Sequence, residues 1–356
     1  MVQSMRERER KLCSASTALD VVSPQRVRRG HGPFPVEPPD FPPAVVGRAK
    51  VLGTAPLVLL DLQTRKTYGT LAGADYKDAQ FDGVVVQCRE VKKAADGTGH
   101  GGGDGAGWVD AGGPQLALKI TKKALVLRRA ADQGRKPGAM YGEDPCKELA
   151  VLQLLKAAGG HPHVEELVAA LHDNDFIYKL SKFCDGGEAF AAVPMPEPDA
   201  QRLTRQLLSA VAFCHAHGVM HRDISLENCL LETRPDGKSS IRLIDFGMAI
   251  AIPRDAFGRP LPLAPQGRCG KSSCMAPEVH LDAPFDAAAA DLWSCAAVTY
   301  MCLLGVAPWR TVGDELFRVV SVDGRLAALL QHWGINGRAS PAAVDLLQRM
   351  LSADPR

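Results

Sequence analysis

The sequence has few of the features that mark specialised classes of protein. None of its ten cysteines forms a C-x-x-C pair, so a common signature of a structural zinc site is missing. Its 42 basic and 40 acidic residues nearly balance, and the net charge of +2 gives no sign of a nucleic-acid partner. The longest apolar run, residues 296–309, contains Thr299, Gly305 and Pro308 and is shorter than the ~20 residues that span a bilayer. Composition therefore predicts neither a membrane span nor a nucleic-acid partner.

The cysteines and the N-terminal residues predict an intracellular protein. Cys214, Cys229, Cys295 and Cys302 lie inside apolar runs, where free thiols behave as small core residues in a reducing compartment. We expect no signal peptide, because the first residues lack its apolar segment. The early arginines alternate with glutamates, which argues against a transit peptide. We expect a cytoplasmic location, with the nucleus and organelles as alternatives.

Composition along the chain predicts a tail, a β-rich region and an insertion. Residues 1–50 are rich in Arg, Ser and Pro and are predicted to form a disordered or polyproline tail. Strand-like runs follow at residues 57–62, 68–71 and 84–88. The glycine-rich residues 92–114 cannot pack a core, so we expect a flexible insertion there.

Two charged residues stand out in the next segment. Residues 115–120 read as a buried strand with Lys119 as its one charge, and such a lysine is costly unless it has an anionic partner. The alternative is an edge strand on which Lys119 faces water. Asp144 and Pro145 then begin a predicted helix that carries Glu148 near its start. Residues 176–183 form a further predicted strand.

The remainder of the chain is predicted to be mainly helical. Asp199 begins a helix with an apolar stripe, and residues 286–305 are apolar nearly all round, which predicts a central helix. Ser340 and Pro341 begin a last helix.

Residues 221–228, with the sequence HRDISLEN, set the carboxylate of Asp223 and the amide of Asn228 five positions apart on a loop between apolar segments. Phosphoryl transfer needs such a pair, because one group orients the attacking hydroxyl while the other holds a magnesium ion. The alternative is a surface turn that merely carries charges.

Several short motifs occur in one order along the chain, and that order resembles the signature of the eukaryotic protein kinase superfamily, serine/threonine type. The residues that carry the resemblance are Lys119, Glu148, Asp223, Asn228, Asp245-Phe246-Gly247 and Ala276-Pro277-Glu278. The resemblance covers residues 66–356. It implies an α+β, two-lobed fold with a β-rich N-lobe at 66–180 and a mainly helical C-lobe at 181–356. Domains of the family continue beyond the Asp354-Pro355-Arg356 end, so we expect a C-lobe truncated at that end.

The resemblance also implies roles for these residues. Lys119 would hold the α- and β-phosphates of ATP, and Glu148 would fix Lys119. Asp245 and Asn228 would hold magnesium (Mg2+), and Asp223 would be the catalytic base. ATP and Mg2+ are thus the expected cofactors, and a Ser or Thr of a protein is the expected acceptor.

The adenine and substrate sites follow from the same resemblance. The backbone of Lys182 and Cys184 would bind the adenine edge, while Val84 and Ala117 would cover the ring. Glu188 and Glu227 match positions that face arginines in substrates of basophilic members, so we predict a basic substrate motif. Ser181 would lie at the back wall of the adenine pocket.

The sequence departs from the family pattern in the phosphate-covering loop. The G-x-G-x-x-G match at Gly97 has no flanking strands and is rejected. Residues 77–84 align better with G-x-G-x-F-G-x-V; they keep Phe81, and Lys77, Ala79 and Asp82 replace the glycines. Side chains there predict weaker contact with phosphates.

Two further departures concern catalysis and regulation. Ser225 stands where the family usually has a lysine, and Lys271 where it has a threonine; we hypothesise that Lys271 supplies the missing charge and Ser225 the hydroxyl contact with the base. Residues 247–270 contain no Ser, Thr or Tyr, so a phosphate cannot order this activation segment through Arg222. Either Asp255 or packing of Phe257 and Leu263 would replace it.

The sequence therefore predicts a protein serine/threonine kinase. Tyrosine specificity is disfavoured, because neither residues 225–227 nor 271–274 match the tyrosine kinase loops. The alternative, from the altered glycine loop and Ser225, is a catalytically weak pseudokinase that acts as a nucleotide-binding or scaffold module.

Overall fold

The computed structural model describes residues 36–54, 57–70, 83–94, 107–126 and 143–353. The chain divides into two compact units. The first comprises residues 41–137 and 142–185 and is called the sheet unit; the second comprises residues 1–40, 138–141 and 186–356 and is called the helical unit. The division between Asp185 and Gly186 lies close to the predicted boundary at residue 180.

Among its described residues, the sheet unit contains eight strands of one sheet and the helix α1 beside them. The strands are β1 Gly47–Thr54, β2 Leu57–Asp61, β3 Thr67–Thr70, β4 Val84–Lys93, β5 Trp108–Asp110, β6 Leu116–Lys122, β7 Leu167–His172 and β8 Phe176–Lys182, and the helix is α1 Pro145–Ala157. The strand order is β3-β2-β1-β7-β8-β6-β4-β5, and β3 also pairs with β4, so the sheet closes on itself. Only the β1–β7 pairing among these is parallel.

One face of this sheet forms an apolar core, because alternate residues of each strand point to the same side. Its members are Leu57, Leu59, Tyr68, Cys88, Leu116, Leu118, Ile120, Leu171, Tyr178 and Leu180. Helix α1 begins as predicted: the side chain of Asp144 accepts hydrogen bonds from the backbone of Cys146 and Lys147. Pro145 follows in the first turn.

The predicted boundaries of the tail and of the insertion are both corrected by strand pairing. Strand β1 begins at Gly47 and pairs with β2, so the folded region starts before residue 50 rather than at residue 66. The ends of the 92–114 segment are also paired, because β4 extends to Lys93 and β5 lies against it, with Lys93 over the ring of Trp108. Residues 1–35 and 95–106 lie outside the described residues.

The helical unit carries six α-helices among its described residues. They are α2 Glu197–Ala216, α3 Pro277–His280, α4 Ala287–Leu304, α5 Glu315–Phe317, α6 Leu326–His332 and α7 Pro341–Met350, together with a π turn at Arg318–Val322. Four short strands complete it: β9 Val219–Met220 and β12 Ile250–Ala251 pair with each other, as do β10 Cys229–Thr233 and β11 Ser239–Leu243.

Helix α4 is the central helix that its sequence predicts. It is the helix, among the described residues, whose length and apolar composition would allow a membrane crossing, but 83% of it is buried inside the protein. Its Thr299 hydroxyl lies 3.0 Å from that of Thr204 on α2. Trp293 packs against Trp309 and Phe317 at its other side. Helix α4 therefore organises the core of the helical unit.

One expected contact in this unit is wrong. The family resemblance also implies that Arg349 pairs with Glu278, but the side chain of Arg349 is 70% exposed and pairs with Asp345 one turn earlier on α7. Burial instead raises the pKa of Glu278.

Candidate active site

In the sheet unit, Lys119 and Glu148 form the predicted ion pair. Strand β6 lies between β8 and β4, so Lys119 is not on an edge strand, and the water-facing alternative is wrong. The Nζ atom of Lys119 lies 3.1 Å from Oε2 of Glu148, whose side chain is 2% exposed. Glu143 also approaches Lys119, at 3.5 Å, and its side chain is more exposed than that of Glu148, at 39%. The pair thus joins β6 to α1.

Glu148 has a second cationic partner that the sequence analysis did not identify. Lys179 on β8 lies 2.5 Å from Oε1 of Glu148, and its side chain is also buried. Burial alone would raise the pKa of Glu148, but the ammonium groups of Lys179 and Lys119 outweigh it and hold the pKa at about 2. A lysine inside the apolar run 176–183 was the available signal, of the same kind as Lys119.

The contribution of Glu148 to stability is expected to disappear at acid pH. Its pKa is lower in the folded protein than its ordinary value of 4.5, so the contribution is fully present above about 4.5 and is lost as the pH falls through about 2. The difference in unfolding free energy between wild type and Glu148→Gln should therefore shrink in this window. Denaturant unfolding at each pH measures it. A constant difference down to the lowest pH would contradict the assignment, and Glu143→Gln serves as the exposed control.

The register of β4 corrects the predicted residue above the adenine ring. Val85, and not Val84, pairs directly with Lys119, while Val84 pairs with Ile120 on the core face. Directly opposed residues share a face, so Val85 and Ala117 lie on the Lys119 face and Val84 lies on the other. Val85 is 64% exposed, so its side chain is accessible to the apolar surface of a ligand. Val85 therefore replaces Val84 as the candidate.

The same register restores one glycine of the phosphate-covering loop. With Val85 in the valine position of G-x-G-x-x-G-x-V, the last glycine is Gly83 and not Asp82. Gly83 has a φ of +97°, and a Cβ there would lie 3.4 Å from Cε of Lys119. The left-handed φ therefore favours glycine here, whereas a Cβ would meet Lys119 only at ordinary van der Waals distance. The rest of the aligned loop, residues 77–82 with Phe81, lies outside the described residues.

The predicted adenine-edge segment begins on the Lys119 face of the sheet. Ser181 pairs with Ala117 in the β6–β8 register, and its hydroxyl donates to Oε1 of Glu165 at 2.6 Å. The backbone N–H of Lys182 donates to the carbonyl of Glu166, so any contact from Lys182 to adenine must use its own carbonyl. Cys184 is buried.

In the helical unit, a buried aspartate holds the loop of residues 221–228. Asp291 of α4 is 1% exposed and accepts the backbone N–H groups of His221 and Arg222 at 2.9 and 3.0 Å. Arg222 has a φ of +69°, a strained conformation that these bonds help to hold. The loop therefore presents Asp223 on a rigid backbone.

Asp223 and Asn228 are joined directly. The Nδ2 group of Asn228 donates to the backbone carbonyl and to Oδ2 of Asp223, both at 2.8 Å. The other oxygen, Oδ1, is buried and accepts no hydrogen bond from the described residues. Burial raises the pKa of Asp223, and the negative charge of Asp245 raises it further. His221, Asn228 and Lys271 act in the opposite direction without cancelling this.

A glycine keeps the space beside Oδ1 of Asp223 free. Gly270 has a φ of +84°, and a Cβ there would lie 3.2 Å from that oxygen and 2.8 Å from the carbonyl of Arg222. Any side chain at 270 would therefore fill the position that a substrate hydroxyl needs.

The predicted metal ligands fit a hard cation. Both amide hydrogens of Asn228 are directed to Asp223, so its Oδ1 remains as a ligand. Asp245 adds a carboxylate, with a φ of +65° that turns it out of the strand direction. Oxygen ligands suit Mg2+, which commonly takes one or two protein groups and completes its shell with phosphates. No group of three or more His, Cys, Asp or Glu among the described residues could hold a metal alone.

Ser225 and Lys271 do not have the neighbours that we hypothesised for them, namely the base for Ser225 and the transferred phosphate for Lys271. Ser225 is fully buried, and its hydroxyl interacts with Glu227 and not with Asp223, so the predicted contact with the base is wrong. Lys271 is near enough to lower the pKa of Asp223, but its Nζ atom pairs with Glu227 at 2.5 Å. The structure therefore keeps the charge of Lys271 near the base but gives Ser225 no contact with it.

Glu227 and Lys271 lie together at one wall of a cavity of about 360 Å3. The other walls are mostly apolar and include Leu226, Met301 and Val306. The other predicted substrate-binding residue, Glu188, is exposed and does not line this cavity. Of the two carboxylates, Glu227 is therefore already neutralised in part by Lys271.

The activation segment is held by backbone groups instead of a phosphate. Arg222 donates from Nη2 to the carbonyls of Gln266 and Gly267 at 3.0 and 3.2 Å. Asp255 pairs with Arg259, so it does not take the place of a phosphate. Phe257 is 83% exposed and packs no core, whereas Leu263 is fully buried, so only the Leu263 half of the packing expectation is confirmed.

Residues near the N-terminus take part in holding this segment. The N–H of Val36 donates to the carbonyl of Pro262 at 3.0 Å, and the N–H of Ala264 donates to the carbonyl of Val36 at 2.9 Å. Glu37 accepts from the side chain of Gln266 at 2.7 Å. Residues 36 and 37 therefore bind the stretch whose carbonyls receive Arg222.

Val36→Pro is expected to loosen the activation segment. Proline removes the N–H that bonds to Pro262, and a lost hydrogen bond costs roughly 0.5–1.5 kcal/mol. Amide exchange of residues 261–267, followed by mass spectrometry, should therefore become several-fold faster. Val36→Ala keeps both backbone bonds and is the control. Equal exchange in the two variants would show that the Val36 bridge does not hold the segment.

The comparison with known proteins gives the family. A sequence profile described as "Protein kinase domain" matches residues 113–356. This chain belongs to the eukaryotic protein kinase family.

Several of its relatives are named as serine/threonine-protein kinases. The chain is 32% identical over 256 residues to "CBL-interacting serine/threonine-protein kinase 16" of Arabidopsis thaliana, an alignment that covers 68% of this chain and 48% of the relative. It is 35% identical over 204 residues to "Putative CBL-interacting protein kinase 13" of Oryza sativa subsp. japonica, an alignment that covers 56% of this chain and 35% of the relative. The chain thus spans at most about half the length of these relatives.

Proposed function

We propose that this chain transfers the γ-phosphoryl group of ATP to Ser or Thr hydroxyls of proteins. The observation that carries the proposal is the Asp223–Asn228 arrangement. One carboxylate oxygen is fixed by the amide, and the other is buried, without a hydrogen-bond partner among the described residues, beside the space that Gly270 keeps open. Family membership and the serine/threonine type of the relatives support it.

The chemistry assigns one task to each residue. Asp223 accepts the proton of the attacking hydroxyl at Oδ1, and its raised pKa makes it a better base than a solvated aspartate. Lys119, held by Glu148, binds the α- and β-phosphates. Asn228 and Asp245 hold Mg2+, which when bound neutralises charge on the phosphate oxygens. Val85 and Ala117 cover the adenine.

The proposed substrate is a protein with basic residues near the acceptor hydroxyl. Glu188 is exposed and Glu227 faces the cavity, so either carboxylate could pair with an arginine, although Lys271 competes for Glu227. A degenerate peptide library with Mg2+ and labelled ATP tests this. Labelling of arginine-containing peptides supports the proposal, and an acidic or proline-directed preference overturns the basic motif. Absence of any Mg2+-dependent transfer would favour the scaffold alternative.

Lys271→Ala is expected to lower turnover by roughly 10²–10³-fold with little change in ATP affinity, because a cation near the base would act on charge that develops during transfer. Single-turnover kinetics and nucleotide titration separate the two quantities. Lys238→Ala, at the exposed β10–β11 turn, is the control. Normal turnover of Lys271→Ala would refute a catalytic role for this ammonium group.

We also propose an intracellular site of action. All nine cysteines that the structure describes are free, and eight of them are buried, so the fold uses thiols as apolar core residues and needs no oxidising compartment.

A further inference from the structure

Two lysines lie side by side on the face of the sheet that carries Lys119. Lys119 on β6 and Lys179 on β8 are direct partners in the strand register. Like charges in that position repel each other, and both side chains are shielded from water, with exposed fractions of 15% and 10%. Such a pair is stable only if anions lie between and beside the two ammonium groups.

The sheet unit supplies two buried carboxylates at these positions. Glu148 uses its two oxygens separately: Oε2 lies 3.1 Å from Lys119, and Oε1 lies 2.5 Å from Lys179. Glu165 lies 2.7 Å from Lys179 on the other side and accepts the Ser181 hydroxyl at 2.6 Å. The result is a neutral chain of contacts in the order Ser181, Glu165, Lys179, Glu148 and Lys119.

We propose that Lys179 is a positioning residue for phosphoryl transfer, which keeps Glu148 and helix α1 in place whether or not Lys119 is bound to Glu148. Glu165 and Ser181 in turn hold Lys179. This inference rests on the proposed kinase function for its catalytic consequence, but the contacts themselves do not depend on that function.

The physical reason is the cost of an unpaired buried carboxylate. Glu148 is 2% exposed, so it must keep a cationic partner at all times. If Lys119 were its only partner, any movement of Lys119 toward phosphates would leave Glu148 uncompensated. Lys179 removes that conflict because it occupies the second oxygen. The raised pKa of Lys179 and the low pKa of Glu148 keep both groups charged near neutral pH.

Glu165 balances the charge of the buried Lys179, so that Glu148 can still pair with Lys119. Two lysines with one carboxylate would leave an excess positive charge, and Glu165 balances it. The pair Lys179–Glu165 can therefore be removed together without leaving a net buried charge. Removing both residues therefore distinguishes the positioning of Glu148 by Lys179 from a general effect on stability.

The test compares four variants in the full chain. Lys179→Met removes the ammonium group beside the buried Glu165 and is expected to lower Tm. Lys179→Met combined with Glu165→Leu removes the outer pair and should recover most of the Tm. If Lys179 positions Glu148, this double variant still shows about tenfold faster amide exchange in α1 and about tenfold lower kcat, with ATP KM changed far less. Lys179→Arg, which keeps the positive charge, should show wild-type amide exchange in α1 and wild-type kcat.

Lys119→Met provides a second test that does not depend on the double variant. Because Lys179 still binds Glu148, α1 exchange should stay at the wild-type rate although transfer is lost. Faster α1 exchange in Lys119→Met, or wild-type exchange and kcat in the double variant, would overturn the proposal. If the wild type transfers no phosphate, the proposed function fails, while the exchange comparison still decides the role of Lys179.

Discussion

Asp223→Asn is expected to lower kcat by roughly 10²–10⁴-fold, the contribution usual for a positioned general base. The amide has nearly the shape of the carboxylate and can still accept the Asn228 bond at one oxygen, so the loop should keep its conformation. The group beside Gly270, however, could no longer take a proton. Mg2+-dependent transfer to a peptide, measured at saturating ATP, is the decisive quantity.

Asp345→Asn is the matched control for that experiment. Asp345 lies on α7, and its side chain is 65% exposed, so the same chemical change should leave kcat as it is. Equal activity of Asp223→Asn and the wild type would exclude Asp223 as the base. Loss of activity together with a lowered Tm would assign the effect to folding, which is why Tm is measured for both variants.

Glu148→Leu is expected to destabilise the protein by roughly 3–5 kcal/mol, the range for breaking a buried ion pair by removing one partner. Leucine is similar in volume, so the loss arises mainly from Lys119 and Lys179, which would be left facing each other. Equilibrium unfolding in urea measures the change in free energy.

Glu143→Leu removes the other carboxylate near Lys119 and is the control. Its side chain is 39% exposed, and exposed ion pairs contribute about 0–1 kcal/mol, so little change is expected. A loss for Glu148→Leu no larger than that for Glu143→Leu would show that the two lysines do not depend on Glu148 for their burial.

Local sequence patterns were sufficient where neighbouring residues decide the structure. The Asp144–Pro145 start of α1 and the central position of α4 are examples. The Asp223–Asn228 pairing is another, because five residues of loop suffice to bring the amide to the carboxylate. Burial of a lone lysine in an apolar strand also predicted an anionic partner, since the cost of an unpaired charge is general.

Strand register could not be read from the sequence in the same way. Residues 84–86 are three consecutive valines, and each satisfies the pattern of a buried strand. Only the pairing of Val85 with Lys119 decides which valine shares the lysine's face, because a shift of one residue exchanges the two faces. The position of Gly83 followed from the same pairing.

The sequence by itself determined the family, the order of its motifs and the residues that carry charge at the site, because these depend on residue type and short spacing. Only the tertiary structure decided which charges meet. It gave Glu148 a second lysine, Lys271 a glutamate, and Arg222 two backbone carbonyls in a segment held by Val36. The physical reason is that these partners are far apart in the chain, and a buried or half-buried charge binds whichever opposite group the fold brings near it.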